Sequence, residues 1–240
     1  MTHTLIVVGI PGIGARALAR CIDHHSEALA TAGVFRPVVM GRPPYAEHRH
    51  IATYLHTYWN DRRPDDEMAY LRVRVHEEDA PRTLLHARNL HTMETHQITV
   101  LSEVLDGLGP VTVLFYLRNP LRWLATRWQG AVTRGETADD ISTWIARQCA
   151  EGDLFSMWVE RWTAVFGASV QVRFYESALA STGGLWGDFW RAATLPGEPP
   201  PAPVIEDTNA PLPHPLLDML RDLNAQHGPS TPADDDDEQR

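Results

Sequence analysis

The chain has 240 residues, enough to bury a full core as one large α/β domain or one domain with a small appendage. Its 31 acidic against 21 basic residues give a formal net charge of -10, which argues against general nucleic-acid binding but leaves room for a local basic pocket holding one small anion. Only two cysteines, Cys21 and Cys149, are present and neither has a CxxC partner, so a disulfide framework is unsupported and a reducing cytoplasm is expected.

The opening MTHTLIVVGIPG lacks the basic region and long apolar stretch of a signal peptide, and no window approaches the roughly 20 apolar residues that span a bilayer. Within it, Thr4 to Val8 reads as a strand and Gly9 to Gly14 (GIPGIG) as a turn feeding a helix that begins near Ala15. Strand, glycine loop, helix is an arrangement whose backbone N–H groups and positive helix terminus face an anion. The spacing from Gly9 to Gly14 is that of a P-loop, yet the Lys and Ser/Thr that should follow are Ala15 and Arg16. The metal-binding hydroxyl is missing, which disfavours ordinary Mg-dependent nucleotide chemistry. A tight first βα turn with no ligand explains the same residues.

Ala17 to Ala32 has the periodicity of an amphipathic helix ended by Gly33, and Val34 to Met40 reads as a brief extended piece. A turn at Gly41 to Pro44 leads into a helix over Tyr45 to Trp59 that carries His48. Glu67 to Asn89 reads as another helix, and Ile98 to Leu101 as a short strand ending in Ser102-Glu103. The histidine pairs of the chain have no HExxH or zinc-finger spacing, so no metal is expected.

Val111 to Leu117 is a continuous apolar, β-branched and aromatic run, as in a strand buried on both faces of a parallel sheet. Arg118 follows at its carboxyl end, where open parallel sheets place their ligands. Asn119-Pro120 supplies a cap and a first-turn proline, and Leu121, Leu124, Ala125 and Trp128 continue at helical spacing. Thr126, eight residues past Arg118, stands about two turns into that helix. An arginine that merely caps a sheet edge is the alternative. Helices over Asp139 to Arg147 and Leu154 to Phe166 follow, with Trp144, Trp158 and Trp162 as core anchors. Ser169 to Tyr175 reads as a strand, Leu185 to Ala193 as a short helix, and the proline-rich run after it as a surface traverse and candidate lid. Leu216 to Asn224 is a last helix, so residues 1–227 are expected to form one domain and 228–240 a disordered acidic tail.

In this order the elements resemble the bacterial branch of the PAPS-dependent sulfotransferases. The stretch YLRNPLRWLATRWQGAVTRG is similar to the family pattern of a strand-ending arginine followed eight positions later by a hydroxyl residue. AGVFRPVV with YAEHRHIA, ITVLSEVL, VRFYESAL and TNAPLPHPLLDMLRDLN are similar to further family segments in the same order. The resemblance implies a three-layer α/β sandwich with a central parallel sheet, the P-loop NTPase-like sulfotransferase fold. It further implies transfer of a sulfuryl group from PAPS, with PAP (3',5'-ADP) as product, to a hydroxyl or amine of a small-molecule acceptor. Arg118 and Thr126 would then hold the 3'-phosphate, and Gly9, Gly12, Gly14, Ala15 and Arg16 the 5' side. His48 would be the catalytic base with Glu103 as the substitute, and a homodimer is left open. The loop departs from the family, because Gly12, Ile13, Gly14 and Ala15 stand where a cation and hydroxyls are usual; Arg16 is the candidate to restore the charge. A binding or scaffold protein that has lost catalysis is the main alternative, and an atypical P-loop kinase the other.

Overall fold

Strands β1 (His3–Val8), β2 (Val34–Phe35), β3 (Arg82–Ala87), β4 (Val111–Leu117) and β5 (Val170–Phe174) build one all-parallel sheet in the order β2-β3-β1-β4-β5. In the computed structural model, residues 2–37, 80–150, 154–203 and 212–228 are described. The helices are α1 (Ala15–His24), α2 (Ser26–Thr31), α3 (Thr95–Leu105), α4 (Pro120–Thr133), α5 (Ile141–Ala150), α6 (Leu154–Phe166), α7 (Tyr175–Ala180), α8 (Gly184–Ala192) and α9 (His214–His227). The chain gathers into two compact units: Met1–Arg118 with Leu154–Ile205, and Asn119–Asp153 with Glu206–Arg240.

In the first unit the sheet has helices on both faces, and two adjacent residues of β4 show why. Successive side chains of a strand point to opposite faces. Phe115 meets the Trp162 ring of α6 edge-on, with centroids 6.1 Å apart, whereas the Tyr116 hydroxyl donates to Asp188 Oδ2 of α8 at 3.0 Å. On the α6 side, Trp162 stacks on Phe166, and α3 packs against α6. On the other side α1 packs against α8. The central strands are therefore covered twice: Ile6, Val7, Leu84, Leu85, Val113, Leu114 and Phe115 are all buried. Each such side chain contributes about 1.5–3 kcal/mol of burial.

Asp188 ties β4 and β5 to α8. Arg173 donates to it through Nε and a terminal nitrogen, both at 2.6 Å, alongside the bond from Tyr116. Burial pushes the Asp188 carboxyl up, and the bonds from Arg173 and Tyr116 outweigh that and hold it below the usual carboxylate range. Burial, reinforced by the negative charge of Asp188, pushes the Tyr116 hydroxyl far above its ordinary value, so it stays a donor. Of the proline-rich traverse, Pro200 and Pro201 offer carbonyls to Trp186 Nε1 and His25 Nε2, each at 3.0 Å. Residues 204–211 of the candidate lid lie outside the described residues.

The second unit is built on α4. The Asn119 side chain accepts from the backbone N–H groups of Leu121 and Arg122, and Pro120 opens the helix, as the sequence predicts. Trp123, Leu124, Trp128, Ala131 and Val132 form its buried stripe. Trp128 Nε1 donates to the Asp139 carbonyl at 3.0 Å, and α5 packs beside it with Trp144 buried. From α9, Asn224 donates to the carbonyls of Val132 and Thr137, both at 2.9 Å.

Three expectations are corrected. Arg82 to Ala87, expected within a helix over Glu67 to Asn89, is strand β3; the buried apolar run between two neighbours outweighs helical spacing. Ile98 to Leu101, expected as a strand, lies inside α3. The helix expected over Ala17 to Ala32 is two helices that break at His25. The helix expected over Tyr45 to Trp59 and residues 229–240 of the expected 228–240 tail lie outside the described residues.

Candidate functional site

The sheet order places β1 between strands that come later in the chain, and β3 and β4 pass to opposite sides of it. A ligand crevice opens at such a switch point, outside the carboxyl ends of the strands. The loop after β1 is built for close approach. Gly9 N–H donates to the Ala87 carbonyl at 3.0 Å, and a Cβ at Gly9 would stand 2.9 Å from the Arg88 Cα. Gly12 and Gly14 adopt φ of 81° and 73°, which L side chains rarely take. Gly14 is the N-cap of α1, and no side chain caps that helix. Ile10 and Ile13 are buried, so the loop is anchored by its apolar side chains, while Gly12 and Gly14 are half-buried.

A cavity of about 10 Å³ lies beneath the loop, lined in part by Val7, Ile13, His86, Tyr116 and Leu185. It holds at most one water molecule.

Arg118 closes β4 beside this loop. A terminal nitrogen donates to the Gly12 carbonyl at 3.0 Å, Nε is 3.9 Å from Glu176 Oε1, and the guanidinium lies 5.6 Å from the Tyr175 ring centre. Tyr175 and Glu176 open α7 directly after β5, so neighbouring strand ends supply the cation, the ring and the carboxylate. The Glu176 carboxylate is 37 % exposed, and a pair so open to solvent is worth about 1 kcal/mol or less. A phosphate dianion that accepts two guanidinium bonds competes well against it.

The carboxyl end of β3 adds residues that sequence reasoning missed. Arg88 and Asn89 follow Ala87, and the buried His91 brings Nδ1 to 2.7 Å from the Arg88 carbonyl and 3.0 Å from the Gly9 carbonyl. A ring nitrogen facing two carbonyl oxygens carries the proton, which fixes the tautomer and ties the two strand ends together. The signal was present in the sequence: Arg88-Asn89 after LLHA repeats Arg118-Asn119 after LFYL.

The other expected residues are placed as follows. Ala15 is buried at the start of α1, and Arg16 is half-buried one position on. Thr126 belongs to α4 in the second unit, and its hydroxyl donates to the Arg122 carbonyl at 3.0 Å, a bond within its own helix. His48 lies outside the described residues. Glu103 is not at a strand end; it is an exposed residue of α3, because a capping box of Glu94 and Gln97 starts a helix whose Ile98, Leu101 and Leu105 turn inward. Among the described residues no group of three or more His, Cys, Asp or Glu side chains is arranged to hold a metal ion, and no helix is long and apolar enough to cross a membrane. Comparison with protein-family models and with curated proteins finds no match for this chain.

Proposed function

We propose that the chain binds a 3'-phosphorylated adenosine nucleotide over the Gly9–Gly14 loop and is a sulfotransferase of the P-loop-like fold, moving a sulfuryl group from PAPS to a hydroxyl or amine of a small molecule. The observation that carries the reading is the bond from Arg118 to the Gly12 carbonyl, which joins a strand-end guanidinium to a glycine loop opening a helix. An uncapped helix terminus and a cation at one sheet edge suit a ligand with several phosphates.

PAPS would supply an activated sulfuryl group on its 5'-phosphate. The loop N–H groups and Arg16 would receive the 5' side, and Arg118 the 3'-phosphate. Transfer forms an S–O or S–N bond to the acceptor as the S–O bond to the 5'-phosphate breaks, and leaves 3',5'-ADP. The acceptor proton passes to a base, the role given to His48, since imidazole titrates near neutrality. Such a loose transfer demands in-line placement and positive charge at the leaving oxygen more than covalent help. Sulfur-35 transfer from PAPS to a panel of hydroxyl and amine acceptors tests it, and absence of both transfer and 3',5'-ADP binding refutes it.

A second reading, nucleotide binding without transfer, is favoured by the buried Ile13 and Ala15, which stand in the loop without a hydroxyl between them. Restoring a lysine at Gly12 is a poor discriminator, because its φ of 81° would strain any side chain. Arg16→Ala is better. Loss of a native turnover in that variant, with 3',5'-ADP still bound, rejects the second reading.

A further inference from the structure

The β5 edge of the sheet is unlike the protected edges of most soluble α/β proteins. Among the described residues β5 pairs only with β4, and it ends the strand order. Its sequence VQVRF contains no lysine or proline to blunt an open edge, and its one charged side chain, Arg173, is held by Asp188 of α8. Val172 is 39 % exposed and Phe174 63 % exposed, and Leu179 of α7, directly after the strand, is 50 % exposed. Among the described residues, a row of backbone groups without strand partners is thus flanked by apolar side chains.

We propose that this edge joins two copies of the chain, strand to strand and antiparallel, about a two-fold axis through Val172. The sequence of β5 selects that partner and register. With Val172 opposite its own copy, Val170 faces Phe174 and each Arg173 faces a Gln171, so apolar meets apolar on one face and no like charges oppose. Moving the axis to Arg173 sets two guanidinium groups against each other, moving it to Gln171 leaves Arg173 and Phe174 opposite Ser169 and Ala168 outside the strand, and an axis between residues would set side chains of opposite faces against each other. The face assignment is fixed independently, since Val172 is in register with Phe115 and Arg173 with Tyr116, which point to opposite sides of the sheet. A two-fold axis makes the contact self-complementary and closed. A stable interface needs about 800 Å² from each partner, more than a five-residue strand supplies, so Leu179 of α7 extends the contact and the dimer is a dissociating one.

Sedimentation equilibrium of the full chain over a wide concentration range tests the proposal. The expected result is a reversible dimer whose dissociation constant rises at least about tenfold in Val172→Lys and again in Phe174→Lys. Both side chains are exposed, and an unchanged melting temperature checks that the fold is kept. In a Cys149→Ser background, Val172→Cys is expected to form a disulfide-linked dimer on oxidation while Gln171→Cys does not, because only position 172 faces itself. A monomer at every concentration overturns the proposal and leaves the edge to an extended peptide of another protein. A dimer untouched by either lysine, or equal crosslinking at both positions, overturns it as well.

Discussion

Gly14 is tightly constrained in the loop. Its φ is 73°, and a Cβ there would come within 2.5 Å of the Tyr175 ring and 2.7 Å of Leu185. Gly14→Ala is therefore expected to lower the unfolding free energy by about 1–3 kcal/mol, read by urea denaturation, and to disturb the ring beside Arg118. Asp188 makes a different prediction. Its carboxyl is 7 % exposed but its partner Arg173 is 36 % exposed, so Asp188→Asn should cost about 2 kcal/mol rather than the 3–5 of a fully buried pair. Because the folded carboxyl sits below its unfolded value, its contribution is complete above about pH 4 and fades as pH falls through the lower folded value. Urea titrations of wild type and Asp188→Asn in acid should then converge. The two cysteines differ as well: burial pushes the Cys21 thiol up to about 11, while Cys149 is exposed. Iodoacetamide at neutral pH should label Cys149 and spare Cys21 until the chain is denatured, as mass spectrometry of the digested peptides will show.

At the scale of elements, the β4–α4 passage was legible in full. A seven-residue run of apolar, β-branched and aromatic side chains, a strand-end arginine, an asparagine cap and a first-turn proline all specify the same structure. Asn119→Ala should accordingly destabilise the unit containing α4 by about 1 kcal/mol, measured as a shift in thermal midpoint. Two short segments were not legible. Arg82 to Ala87 holds one β-branched residue in six, so only its place between β1 and β2 makes it a strand. Ile98-Thr99-Val100 has the composition of a strand, yet Glu94 and Gln97 bond to each other's backbone and start a helix before it. With that helix went the placement of Glu103, while Arg88 and His91 came to the sheet edge unannounced. A site made of strand ends inherits every error in the strands.

For the whole molecule, the α/β class and the parallel sheet follow from runs of buried apolar residues separated by helical patterns. The order β2-β3-β1-β4-β5 does not, since it depends on pairings between residues far apart in the chain, such as Val8 with both Ala87 and Phe115. That order is what gathers Gly9 to Gly14, Arg88 and Arg118 along one edge, and it makes a scattered set of glycines and arginines into a candidate anion site. The 3'-phosphate role of Arg118 is open to calorimetric titration of 3',5'-ADP into the wild-type chain and Arg118→Ala, with circular dichroism to confirm that the variant is folded. Saturable binding that weakens about 10- to 100-fold in the variant is the expected result, the loss of a charge-assisted contact worth about 1.5–3 kcal/mol. No binding by the wild type, or equal binding by both proteins, would contradict it.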